Sequence, residues 1–421
     1  MKAVFFVVLF VSVSLTLLAD PAPATLEITD VLLLGMALVT AVLSLFAARR
    51  YPIGQTERQI ISAVIFYISY LLFSALMGFL QGVPVMGVFR SVGPYLGFVP
   101  LIAVGFLPEK TLNPRMIAII FIMVGLMQVC YLSELYFSHG GHGTTLSVLR
   151  NRITFKDQRT TLPLMLSVAI LPLMFVSGRQ LSGIKQTLMA AGVMALLMVG
   201  LFAGVITLTR AIFLSIVAGW LAFFAASLWQ RSCDRRFKAS VFFNRLFSAF
   251  AFAALVLMLV SFIPRIQLLE SGLFARFFNH AGLGHVDYTN GRLYDEWIPA
   301  LTTWINSGPL GWVLGVGAGN AFTVLSGEER TYIHNLSIYS LVFGGLYGFF
   351  ATLFLYYILF KSLLVRAVQT QNSVYTGMFA LLFSLYFYGQ LFAVHKGLAF
   401  NEMLFLITGL TLIRPVSNHR H

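Results

Sequence analysis

Charge is what this chain has least of. Asp, Glu, Lys and Arg together make up 10% of its 421 residues, and the acidic ones number only 15. A soluble surface of that size cannot be covered so sparsely, which excludes a soluble globular domain. Cysteine is nearly missing as well. Cys130 and Cys233 are too few for a disulfide framework, and no CxxC or HxxxH spacing occurs, so neither a zinc site nor any other metal is expected. Hydrocarbon fills the space instead: 58% of the residues are hydrophobic, 40 of them Phe, and the mean hydropathy is +0.86.

A spanning helix needs about 20 apolar residues. Twelve runs qualify, at roughly 3–19, 30–48, 60–80, 91–107, 116–133, 160–178, 187–207, 211–229, 246–263, 334–360, 375–394 and 398–414. The expected fold is therefore all-α: one polytopic membrane domain over residues 1–421, without a soluble appendage. No internal repeat is visible, and the longest connection joins the ninth and tenth runs. A duplicated transporter would place its long connection centrally. The first run, followed by Ala22-Pro23-Ala24, imitates a signal peptide, but it is longer than a signal core and is read as a membrane helix.

The few charges test that count. With both termini cytoplasmic, 17 of the 28 basic residues fall inside, beside only Glu57, Glu109 and Asp234. The outer face keeps 11 basic and 12 acidic residues, so the two sides sum to +14 and −1, the positive-inside asymmetry. The net charge of +13 is then a topology signal and not a nucleic-acid footprint. On this topology Cys130 and Cys233 lie on opposite sides of the bilayer and cannot pair.

Two outer loops stand out. The first, 134–160, carries His139, His142, Arg150, Arg152, Lys156, Asp157 and Arg159. The second, 264–333, carries Arg265, Arg276, Arg292 and Arg330. Within it a helix is predicted over 291–306, capped by Asn290 or Thr289, with Asp295 and Glu296 in its first turns. Leu293, Trp297, Leu301 and Trp304 recur at helical spacing, and Ser307-Gly308-Pro309 stops the run. Two tryptophans on one face predict a helix lying along the membrane surface, holding Arg292 above the lipid.

Arg210 sits in the short outer turn Thr207-Leu208-Thr209-Arg210, where a charge near the hydrocarbon edge faces either headgroups or a polar cavity. With Arg90, Arg150, Arg152, Arg159, Arg265, Arg276, Arg292 and Arg330 it puts guanidinium groups on the side that normally avoids them. Guanidinium binds phosphate bidentately, so the group points to a diphosphate ligand. Leu314-Gly315-Val316-Gly317-Ala318-Gly319-Asn320 has no preceding strand and is not a nucleotide loop. It reads as a tight re-entrant turn, or as backbone approached by a lipid or sugar. His334, at the mouth of the tenth span, suits a general base for a hydroxyl, with Glu328 or Glu329 to orient it. Glu402 is the one carboxylate predicted inside the bilayer, paired with an arginine or hydroxyls.

At these residues the chain resembles the O-antigen ligase and polymerase superfamily, integral-membrane glycosyltransferases of the bacterial envelope. The resemblance rests on His334-Asn335, nine residues, then Gly345-Leu346-Tyr347-Gly348, with Gly291-Arg292, Trp297 and Thr209-Arg210 in support. It implies about twelve membrane helices in a GT-C-like arrangement, with the large loop periplasmic and no cofactor. It also implies an inner-membrane location and two partners besides membrane lipid. One is a glycan on undecaprenyl diphosphate; the other is a lipid A-core or growing-glycan acceptor. By position, His334 would activate the acceptor hydroxyl, and Arg210 and Arg292 would hold the diphosphate. Arg265, Arg276, Arg152 and Arg159 would assist, and Asn335, Gly345, Gly348, Trp297 and Glu329 would support. No outer arginine has Gly eleven residues on, as some polymerases do, which favours ligase over O-antigen or exopolysaccharide polymerase. A secondary transporter fits the gross topology but needs ionisable groups at the membrane midplane, where this chain has almost none.

Overall fold

The structure is a computed structural model that describes residues 2–17, 28–47, 54–109, 111–138, 162–177, 184–206, 210–232 and 292–413. Of the twelve predicted runs, the one at 246–263 lies outside these residues; each of the other eleven overlaps helix in its described part. In chain order these are α1 (Lys2–Leu15), α2 (Ile28–Ala47), α3 (Gln55–Leu80), α4 (Val85–Leu96) with a 3-10 segment Val99–Phe106, and α5 (Pro114–Ser138). There follow α6 (Leu162–Ile170), α7 (Leu173–Ser177), α8 (Ile184–Ile206) and α9 (Arg210–Ser232). After the undescribed stretch come a π-helical turn Leu293–Trp297, α10 (Ile298–Ile305), α11 (Gly308–Leu314) and a ribbon of β1 (Phe322–Thr323) with β2 (Glu329–Arg330). The chain continues as α12 (Leu336–Thr370), α13 (Ser373–Leu391), a 3-10 turn Ala393–Lys396 and α14 (Leu398–Leu412).

Six of these helical segments are long and apolar enough to cross a membrane: Gln55–Leu80, Val85–Phe106, Pro114–Glu134, Ala211–Ser232, Leu336–Thr370 and Ser373–Leu391. Their outward faces are apolar too. On α3, Ile60, Ala63, Val64, Tyr67, Tyr70 and Leu71 point into the protein, while Ile65, Leu72, Phe73, Leu76 and Leu80 are exposed. Exposure of this many large aliphatic side chains in register is unfavourable in water and costs nothing against lipid tails. The backbone polar groups are meanwhile satisfied inside each helix.

Helix α14 is the innermost element. From Ala399 to Leu412 every residue is buried, although the segment includes Asn401, Glu402, Thr408 and Thr411. It packs on the 3-10 segment after α4 and on α12 and α13. Glu402 there accepts a 2.6 Å hydrogen bond from the Ser12 hydroxyl of α1, the hydroxyl partner its burial demanded. On another layer α3 lies along α12, and α9 along α13.

The glycine-rich run is a re-entrant turn. Gly345 interrupts α12 with φ 64° and ψ −164°, leaving carbonyls near the break without their usual helical donors. The run fills that gap: the Val316 N–H donates to Val342 O (2.9 Å), Gly317 N–H to Phe343 O (3.2 Å) and Ala318 N–H to Ser74 O (2.8 Å). Gly315 has φ 81°, and a Cβ there would overlap the Phe343 carbonyl. Its neighbour cannot yield, because it is helix backbone.

Two features of the large loop differ from the sequence reading. Ser307-Gly308-Pro309 does not simply stop a helix: α10 ends and α11 begins at Gly308, with Pro309 inside its first turn, where its missing N–H costs nothing. And of the predicted stripe, Trp297, Leu301 and Trp304 pack against the protein core while Leu293 is exposed. The outward face carries Tyr294, Ile298, Ile305 and Trp312, all exposed, with the Trp312 indole N–H bonded to Ile305 O. The stripe was legible, but whether it would face lipid or protein was not. The proposed caps Thr289 and Asn290 lie outside the described residues, as do 139–160 of the first outer loop and 264–291 of the second.

Gly315→Ala should therefore destabilise the fold by about 1–3 kcal/mol from overpacking, with a further backbone cost at positive φ. Thermal unfolding of the detergent-purified protein checks this, with Gly192→Ala, a helix-interior site whose Cβ would meet nothing within 4 Å, as the control that should not destabilise.

Candidate functional site

The site forms where three separated segments meet: the π-helical turn, the stretch from β2 to the start of α12, and the end of α13 with the turn beyond it. At its centre is Glu296. Its side chain is 0% exposed, and a carboxylate so buried must be surrounded by donors. It finds three. The His334 ring Nδ1 lies 2.7 Å from Oε2, the His334 backbone N–H donates to Oε1, and Arg330 Nη1 stands 3.4 Å from Oε2. Burial alone would raise the Glu296 carboxyl above its ordinary range. The hydrogen bonds from His334 and the charge of Arg292 outweigh that and hold it below. Glu296 is thus an anion.

An anionic acceptor at Nδ1 fixes the imidazole tautomer. Nδ1 carries the proton, and Nε2 becomes the basic nitrogen. The ring is held edge-on between Tyr332 (5.3 Å between centroids) and Phe392 (5.2 Å). A second histidine nearby, His395, is fully buried against Tyr339 (4.7 Å). Burial, then Lys396 and His334, push its pKa well below the ordinary histidine value, so it stays neutral. Of the two imidazoles, only His334 stands against a carboxylate.

Arg292 comes to the same wall from the other side. Its guanidinium lies 5.4 Å from the centroid of the Phe392 ring that also flanks His334. Nη1 donates to Leu391 O at 2.6 Å, at the C-terminus of α13, where helix carbonyls lack intrahelical donors and the dipole favours a cation. Burial lowers the Arg292 pKa and the Glu296 charge opposes it; the group remains a cation at any physiological pH.

Asn335 ties the strands of this arrangement together. Its side-chain oxygen accepts from Ile338 N–H (2.8 Å), capping α12, and its Nδ2 donates to Gln390 O (3.0 Å) near the end of α13. Ser337 N–H meets Gln390 Oε1 at 3.4 Å. Lys396 Nζ donates to Thr331 O at 2.7 Å, closing the turn over the loop.

The structure brings His334 and Arg292 to the same Phe392 ring, with Asn335 beside His334 in the chain, while Trp297 packs against the hydrophobic core. Gly345 and Gly348 lie deeper in α12: Gly345 receives the re-entrant turn and Gly348 lets Tyr70 approach, so both shape the support and not the site. Glu329 is corrected. It points outward and is exposed, because alternation along β2 turns Arg330 inward and Glu329 away. Glu328 is not the orienting group either; its Oε2 accepts from Arg330 Nη2 at 3.1 Å. The carboxylate that orients His334 is Glu296, which sequence reasoning placed only as a helix-start charge. Arg330 in turn is spent on Asp295, Glu296 and Glu328; burial lowers its pKa, but Glu328, Tyr332, Glu296 and Asp295 together raise it, so it is a poor candidate for an external phosphate. Arg90 is exposed on α4. Arg210 is the first residue of α9, with its side chain outside the described set, and Arg152, Arg159, Arg265 and Arg276 lie wholly outside it. Among the described residues no group of three or more His, Cys, Asp or Glu is placed to hold a metal ion. No family model matches the chain, and no curated protein matches it.

Asn335→Ala should cost about 1 kcal/mol for the lost cap and a further ~1 kcal/mol for the lost bond to Gln390. Asn335→Asp keeps the cap acceptor and loses only the second. Limited proteolysis at 331–336 should therefore rank wild type slowest, Asp intermediate and Ala fastest.

Proposed function

We propose that this chain is a metal-independent, inverting glycosyltransferase of the O-antigen ligase kind. It would take a glycan from undecaprenyl diphosphate and pass it to a sugar hydroxyl of lipid A-core at the outer face of a bacterial inner membrane. The observation that carries the reading is the juxtaposition of an imidazole held at Nδ1 by a buried carboxylate with a second-side guanidinium, Arg292, on one aromatic wall. Supporting it are the His334-Asn335-x9-Gly345-x-x-Gly348 spacing and the six helices long and apolar enough to cross a membrane.

In this reading His334 Nε2 takes the proton of the acceptor hydroxyl as its oxygen bonds to the anomeric carbon. The bond from that carbon to the diphosphate oxygen breaks, its electron pair leaving with undecaprenyl diphosphate. Negative charge grows on the leaving group while the sugar becomes oxocarbenium-like. A preorganised guanidinium in a partly desolvated site stabilises that departure by roughly 3–4 kcal/mol, as an effective donor does elsewhere. In this reading Arg292 takes this role, and Arg210 would join it by position. A general base adds about 10²–10⁴-fold. One displacement inverts the anomeric centre.

The lipopolysaccharide of a deletion strain tests the reading. Loss of a ligase leaves bare core with lipid-linked polymer accumulating; loss of a polymerase leaves core capped by a single repeat. Complementation with His334→Ala or Arg292→Ala should fail to restore polymer on core although the protein inserts normally. Wild-type transfer by both variants would sink the assignment.

A further inference from the structure

We propose that Glu296 is the positioning residue for His334 and that Arg330 sets how much of its charge the imidazole feels, the three side chains working as one unit. The inference deepens the glycosyl-transfer reading and rests on it. Its grounds are geometric. One carboxylate oxygen, Oε2, faces both Nδ1 of His334 at 2.7 Å and Nη1 of Arg330 at 3.4 Å. The other oxygen takes the His334 backbone N–H, so the carboxylate grips the residue at two points and leaves the ring one orientation. Arg330 is itself anchored by Asp295 at 3.6 Å and Glu328 at 3.1 Å, so it cannot swing onto Glu296 fully.

A carboxylate that only closed a loop would need one donor; this one is aimed at the ring nitrogen opposite the nitrogen that would meet substrate. When Nε2 takes the acceptor proton, the new imidazolium lies against a full negative charge in a place without bulk water. That charge is already there before the reaction, so no reorganisation is needed. Arg330 acts in the opposite sense: by sharing Oε2 it draws off part of the carboxylate's field from the imidazole. Among the described residues, the other charged or titratable groups around the ring are Arg292, Tyr332, His395 and Lys396, and none of them is a carboxylate.

The two partners therefore move His334 in opposite directions. Glu296→Gln keeps the shape and removes the charge, so the imidazolium loses its counter-ion and the His334 pKa falls by about 1 pH unit or more. Arg330→Gln releases Oε2 to the ring, so the His334 pKa rises. The measurement is histidine ¹⁵N NMR of the full chain in nanodiscs, with His334→Gln to assign the signal. Transfer kinetics with lipid-linked donor and a core acceptor run in parallel. The acid limb of the pH–rate profile should shift down in Glu296→Gln and up in Arg330→Gln. In Glu296→Gln kcat should fall, by about 10²-fold, with the donor KM unchanged. If Glu296→Gln does not fold, Arg330→Gln carries the test alone, and a His334 titration that falls or stays unchanged there overturns the proposal. An unchanged His334 titration in the Glu296 variant, or shifts of the same sign in both, would overturn the proposal. The NMR arm needs no turnover. Full transfer by His334→Ala would thus sink the enzyme reading separately from the relay.

Discussion

A carboxylate with no exposed surface organises this end of the molecule. Glu296 cannot be buried as an anion unless donors come to it, and the donors it recruits belong to segments far away in sequence: the ring and backbone of His334, and the Arg330 guanidinium at the end of β2. Removing one partner of such a set leaves an uncompensated charge, which is far more costly than the set is stabilising. The π-helical turn, the ribbon and the mouth of α12 are therefore constrained together. The wide turn that Leu293–Trp297 adopts is the local distortion that accompanies turning Glu296 inward while Tyr294 and Ile298 stay outside.

The same constraint divides the arginines into kinds. Arg330 is surrounded by Asp295, Glu296 and Glu328, so its field is largely cancelled within the protein. Arg292 rests on a carbonyl at the end of α13 and on the Phe392 face, and it meets the Glu296 charge only through space, so it is neutralised less than Arg330. Two arginines of equal formal charge thus present different potentials to an incoming anion. A tally of outer basic residues cannot see this, since what matters is the number of carboxylates each one already faces.

Much of the helical scaffold was legible because a period of apolar residues about 20 long admits few other structures. His334-Asn335 was legible as a helix start, since Asn is a strong N-cap and its oxygen does meet Ile338 N–H. Glu296 was not. It lies 38 residues before His334 and looks like an ordinary first-turn acid that complements a helix dipole; only the third dimension shows that it faces inward. Glu329 was favoured for nearness in sequence, but a two-residue strand sends neighbours to opposite sides. The tryptophan stripe was correct as a stripe. Its partner could not be read, because protein core and lipid are equally apolar.

The spacing between Asn335 and Gly345 acquires a physical meaning from this arrangement. Asn335 starts α12 by capping it, and Gly345 breaks it, so the nine residues between them form a rod of about 13.5 Å at 1.5 Å per residue. Its upper end is fastened to Gln390 through the Asn335 amide. Its lower end is fastened to the re-entrant turn through the Val342 and Phe343 carbonyls, which the broken helix would otherwise leave without donors. A rod clamped at both ends has little freedom to slide or rotate, and His334 is the residue immediately above it. Lengthening it by one residue would turn the imidazole by about 100° about the helix axis, away from Glu296, while leaving every span intact. Shortening it would break the lower clamp. The interval between the histidine-asparagine pair and the glycine is thus fixed by the need to satisfy two sets of backbone carbonyls and one buried anion at once, before any substrate is considered.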